Sequence, residues 1–172
     1  MRRKRQEHFL RREIRPIVFG VEDSLISTLG AVTGIAGGLG SSRSVLLAGI
    51  VLILVEALSM AAGEMISTQS EQRVDGYMDA VRAYLNGLSM GISYILAGLI
   101  PILPYAFWDT STALPISIIA TFIGVFLLGI WKESLVYKTR RSLIWSGLEL
   151  TLISASIALV GYVVGAVVGT II

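Results

Sequence analysis

The sequence has no cysteine and a single histidine, His8, among its 172 residues. The first absence excludes disulfides, iron–sulfur ligation and thiolate zinc sites. The second leaves Ser24 and Ser59 without a base to activate them, and no second membrane aspartate is present to complete a dyad with Asp23, so no enzyme is expected. Charge is also scarce, at 15% of residues, while 54% are hydrophobic and the mean hydropathy is +0.76. The apolar residues gather in long blocks rather than at amphipathic spacing, a pattern that requires lipid as the solvent.

The few charges are unevenly placed. Arg2, Arg3, Lys4, Arg5, Arg11, Arg12 and Arg15 all precede the first apolar block. A basic tail beside a membrane fixes topology and touches anionic lipid. No aromatic or groove-reading motif accompanies it, so no nucleic-acid partner is expected. The start lacks a small-residue cleavage pattern and the following segment carries Glu22 and Asp23, so the segment is expected to be retained rather than removed as a signal.

Runs of roughly 20 apolar residues place spans at about 16–39, 45–66, 88–108, 113–133 and 149–172. The expected fold is an all-α integral membrane protein of five transmembrane helices, with residues 1–15 as a cytoplasmic tail, 16–172 as the five-span domain and 67–87 as a short cytoplasmic connection. With the N-terminus inside, the inner segments hold the tail, Arg73, Arg82, Lys132, Lys138, Arg140 and Arg141, while the outer ones hold only Arg43. The positive-inside rule therefore predicts a cytoplasmic N-terminus and an outside C-terminus, with Trp108 and Trp145 as interfacial anchors. The expected location is the cell (inner) membrane of a prokaryote.

Glu22 and Asp23 sit inside the first span, and the second reads "LVEALSMAAGEMIS", with Glu56, Met60 and Glu64 at intervals of four. At 3.6 residues per turn these three share one stripe. Counting from the inner ends of two antiparallel helices sets Met60 level with Asp23, Glu64 nearer the cytoplasm and Glu56 near the middle. Each charged residue at a helix centre costs about 2.5–3.5 kcal/mol, so the four carboxylates together cost about 10 kcal/mol. No Lys, Arg or His lies inside the first two spans to pair with them, which leaves protonation, a water-filled cavity or a bound cation. Cation or proton handling is the favoured reading, against protonated carboxyls that merely bond to neighbouring helices. Oxygen ligands suit magnesium, calcium or manganese, and the Met60 thioether adds preference for a softer ion such as ferrous iron.

Glu71, Asp75 and Asp79 continue at intervals of four beyond the second span. They read as a solvated face, with an acidic cation-gathering mouth as the competing idea. Gly30, Gly34 and Gly38 in the first span, and Gly161, Gly165 and Gly169 in the fifth, form stripes that allow close helix approach. Pro101 and Pro104 in "GLIPILPY" each remove a backbone donor and bend or break the third span, as a kink or as a cavity wall.

"FGVEDSLISTLGAVTGIAGG" resembles the first-span signature of the vacuolar iron transporter family, "ALSMAAGEMIS" is similar to its Ser-Met-Ala-x-Gly-Glu segment, and "LAGLIPILPY" to its double-proline third span. The resemblance implies a homodimer in the lipid bilayer that exports ferrous iron, and often manganese, from the cytoplasm in exchange for protons. It implies no prosthetic group, only the transported metal and protons, and a pathway between the subunits lined by their first two helices. Carried over by motif, Asp23, Met60 and Glu64 are the pathway residues, whereas Glu56 rests on the stripe argument. Glu22 and Ser24 depart from the Asn and Gly more usual in the family, placing another carboxylate beside the pathway. The short second connection makes this the form without a large cytoplasmic metal-binding domain. The alternative is a small membrane scaffold or partner subunit without transport activity, supported by the glycine stripes.

Overall fold

The computed structural model describes residues 2–134 and 140–171, with side chains described for 14–38, 40–134 and 142–171. The side chains of the basic residues before Ile14 and of Arg140 and Arg141, and the segment holding Lys138, lie outside the described residues. The described chain is all-helical: α1 (Arg2–Leu39), α2 (Ser42–Val74), α3 (Ala80–Ile102), the single turn α4 (Pro104–Phe107), α5 (Thr110–Ser134) and α6 (Arg140–Gly169). All but α4 contain segments long and apolar enough to cross a membrane. Only 11% of the α6 window is buried, and Leu47, Val51, Leu58, Leu159 and Val163 point outward. Such an apolar exterior suits lipid.

α1 is the central helix, packing against α2, α3, α5 and α6. Its approach to α6 is close because the two glycine stripes face each other. A Cβ on Gly34 would lie 2.8 Å from the Gly161 carbonyl oxygen, and one on Gly38 2.7 Å from that of Gly165. Any side chain there would force the helices apart. The seam is extended by Thr33, whose hydroxyl donates to the Ala158 carbonyl at 3.0 Å. A similar small-residue contact seats Gly87 and Gly91 of α3 on Ala57 and Ala61 of α2.

The α2–α3 connection is shorter than the polar composition of 67–87 predicts. α2 continues to Val74 and α3 begins at Ala80, with Thr68, Gln72 and Asn86 buried at the junction while Ser67, Ser70, Glu71, Arg73, Asp75 and Asp79 stay exposed. Gln72, 1% exposed, grips the turn by accepting from the Asp79 backbone N–H at 2.8 Å and donating to the Asp79 carbonyl at 3.0 Å. Asn86 donates to Thr68 at 3.3 Å, and Gly76 takes the left-handed φ of +76° that closes the turn. The buried polar side chains of this stretch bond across the junction, to the turn at Asp79 and from α3 to α2.

At the opposite end α3 stops at Ile102, and Pro104 opens α4, where its missing N–H is harmless. Pro101 stays within α3, its carbonyl accepting from Ser117 of α5 at 2.6 Å. Ser42 ties α2 to the next turn through the Trp108 carbonyl at 3.1 Å and the Thr110 hydroxyl at 3.0 Å.

Candidate metal pathway

α1 and α2 run antiparallel, and their register is set by Ser27, whose hydroxyl lies 3.2 Å from Glu56 Oε2. One turn toward the α2–α3 end on both helices, Asp23 and Met60 are level. The Tyr94 hydroxyl of α3 donates to the same oxygen of Glu56 and lies 2.7 Å from Ser27. Tyr94 is itself fixed by Ser24, which donates to its carbonyl at 2.6 Å, and by complete burial. A carboxylate within the membrane thus receives aligned hydroxyl donors, which lowers the cost of keeping it there.

Asp23 is half-buried and within electrostatic range of both Glu56 and Glu22. Met60 is also half-buried and packs against the core that includes Ile53 and Tyr94. Glu64 stands one turn farther along, 3.3 Å from the Thr68 hydroxyl. It lines a small polar cavity of about 40 Å³ together with Arg15, Thr68, Glu71, Gln72, Tyr77, Arg82 and Asn86. That volume holds a few waters or one partly hydrated ion.

Glu22 goes elsewhere. Its Oε2 lies 3.2 Å from Lys132 Nζ at the end of α5, so the counter-ion absent from the first two spans is supplied by the fourth. Of the three more distant acids, Glu71 shares the cavity with Glu64. Asp75 caps the end of α2, and Asp79 caps the start of α3 by accepting from the Arg82 N–H at 3.0 Å. They ring a turn rather than running down one helix face.

Sequence reasoning missed Ser27, Tyr94 and Lys132. A signal for Tyr94 was present in "GISYILAG", since a phenol inside an apolar span needs a hydrogen-bond partner. In the sequence Lys132 reads only as a topological charge. Among the described residues, no three Asp, Glu, His or Cys side chains converge as a metal site within one chain. The α2 face beside them is open: Ser59 and Ala62 are exposed, and nothing lies within 4 Å of a Cβ placed on Gly63.

The VIT family model matches residues 14–80 and 74–166, and the two matches meet at the α2–α3 turn. The chain belongs to the VIT family. Members of this family, the vacuolar iron transporters, are transporters and not enzymes. A "Vacuolar iron transporter" of Centaurea cyanus is 25% identical over 218 residues, covering 90% of this chain and 88% of that protein. "Vacuolar iron transporter 1" of Eucalyptus grandis is 24% identical over 216, covering 88% and 85%. An uncharacterized protein of Methanocaldococcus jannaschii is 26% identical over 171 residues, with 87% of each chain covered. The two plant alignments are longer than the 172 residues of this VIT chain, so the plant proteins carry inserted segments that it lacks.

Proposed function

We propose that this VIT protein exports divalent transition metal, ferrous iron with manganese as a second cargo, from the cytoplasm in exchange for protons. The observation that carries the reading is Glu56 held by Tyr94 and Ser27 one turn from Asp23 and Met60, in a chain of an iron-transporter family. Carboxylate oxygens and a thioether suit ferrous iron, and protonation of the same oxygens would release it.

One chain supplies only part of a coordination shell, so a homodimer is proposed, with α1 and α2 of two copies facing one another. Gly63 and Ala62 on the open α2 face allow a second backbone to come close. The two glycine stripes, which favoured a scaffold reading, are satisfied within the chain and no longer support it. The excess of Lys and Arg at one end favours a cytoplasmic N-terminus and outside C-terminus. The cavity containing Glu64 and Glu71 then becomes the cytoplasmic entry, with Asp75 and Asp79 at its approach. The proposed location is the cell (inner) membrane of a prokaryote.

Purified protein in liposomes enclosing a pH dye tests the exchange. Manganese flux is expected to move protons in the opposite direction, and the proton signal should vanish when metal is withheld. Metal flux that leaves the internal pH unchanged contradicts antiport.

A further inference from the structure

Two carboxamides are buried where α2 meets α3, and their bonds lead to different places. Gln72 spends its amide on the Asp79 peptide and so belongs to the turn. Asn86 bonds across the helices instead, its Nδ2 donating to the Thr68 hydroxyl at 3.3 Å. An asparagine stem is short, and it reaches because Gly87 beside it lets α3 close on α2. A Cβ on Gly87 would lie 2.5 Å from the Ala61 carbonyl oxygen and 3.2 Å from Met65 Cβ.

Thr68 passes the bond on. Hydroxyls inside these helices commonly turn their proton to the carbonyl four residues earlier, as Ser70 does to Ile66, Thr121 to Ser117 and Thr151 to Gly147. Thr68 gives its proton to the side chain of the residue in that position, Glu64, whose Oε1 lies 3.3 Å away. A hydroxyl has one proton and two lone pairs. With Asn86 donating into a lone pair, the Thr68 proton is directed to the carboxylate.

Glu64 has other partners within reach of its charge. Arg15 of α1 and Arg82 of α3 line the same cavity of about 40 Å³. Guanidinium and carboxylate form strong charge-assisted bonds, and a glutamate turned onto either arginine would be lost to a metal. Its long side chain needs a tether, and Thr68 supplies one from the α2 side.

We infer that Asn86 is a positioning residue for metal entry: by orienting the Thr68 hydroxyl it presents Glu64 to an incoming divalent cation. This rests on the transport reading above. Hydrogen-bond partners behind a metal ligand are commonly worth tenfold or more in metal affinity, and α3 thereby acts on an entry whose ligand lies on α2.

In proteoliposomes, Thr68→Val, which keeps the shape and removes the hydroxyl, should raise the KM for manganese about tenfold with the maximal rate preserved, and Thr68→Ser should restore it. Asn86→Leu, close to asparagine in shape, should raise the KM about threefold or more. Combined with Thr68→Val it should add nothing. Asn86→Ser, which removes the amide without adding apolar bulk, gives the same reading if Asn86→Leu does not insert. A purely structural Asn86 would lower the melting temperature and the amount inserted, leaving the KM of inserted protein unchanged. Manganese affinity of the purified protein, read by electron paramagnetic resonance, should fall by the same factors without requiring flux.

An unchanged KM and affinity in Thr68→Val, or losses in the two single variants that add in the double variant, overturn the inference. Wild-type vesicles that carry no manganese overturn the transport reading instead. The binding measurement still reports on Asn86 in that case, so the two failures are distinguishable.

Discussion

Asp23→Ala is expected to lower metal flux in proteoliposomes at least about a hundredfold, while Glu22→Gln, one residue away, changes it by less than about threefold. Groups that only orient a metal ligand are commonly worth 10- to 100-fold, so loss of the ligand itself should cost no less. The contrast comes from what each neighbour faces. Asp23 is level with Met60 and senses the Glu56 charge, whereas Glu22 reaches Lys132 at 3.2 Å. That pair is partly exposed on both sides, 38% for Lys132 and 26% for Glu22, so its loss should cost at most about 1 kcal/mol of stability. Initial rates of manganese uptake for the two variants, normalised to protein inserted, provide the check. Equal losses would return Glu22 to the pathway.

Glu56→Ala should reduce flux at least about tenfold, and Tyr94→Phe should approach that loss although it removes only one oxygen atom. Tyr94 donates to Glu56, and without that donor the carboxylate keeps Ser27 alone. A half-buried acceptor that loses a partner costs about 1–3 kcal/mol and no longer holds its position. If Tyr94 orients Glu56, Glu56→Ala and the double variant Glu56→Ala/Tyr94→Phe should transport equally poorly. Additive losses would mean that the tyrosine acts on its own.

The five apolar spans could be read from the sequence because lipid demands long uninterrupted apolar runs, a requirement that local composition reports directly. The ends of α2 and α3 could not. Thr68, Gln72 and Asn86 look like loop residues until their bonds across the two helices are known. The glycine stripes were visible, but spacing along one helix does not name its partner. That partner proved to be the other stripe in the same chain.

The site divides in the same way. Asp23, Met60 and Glu64 stood out through motif and periodicity. The Lys132–Glu22 pair joins residues 110 positions apart, a distance over which no pattern in the sequence carries a signal. The short α2–α3 turn fits the family match, which divides at that point. It places Glu64, Glu71 and their small cavity at the proposed entry, with Asp75 and Asp79 at its approach.

Anomalous scattering from crystals of the protein grown with manganese tests the central claim most directly. A manganese peak is expected within coordination distance of Asp23 and Met60, between two copies of the chain. A peak confined to Asp75 and Asp79 at the surface, with none beside Asp23, would contradict a cation path along α1 and α2.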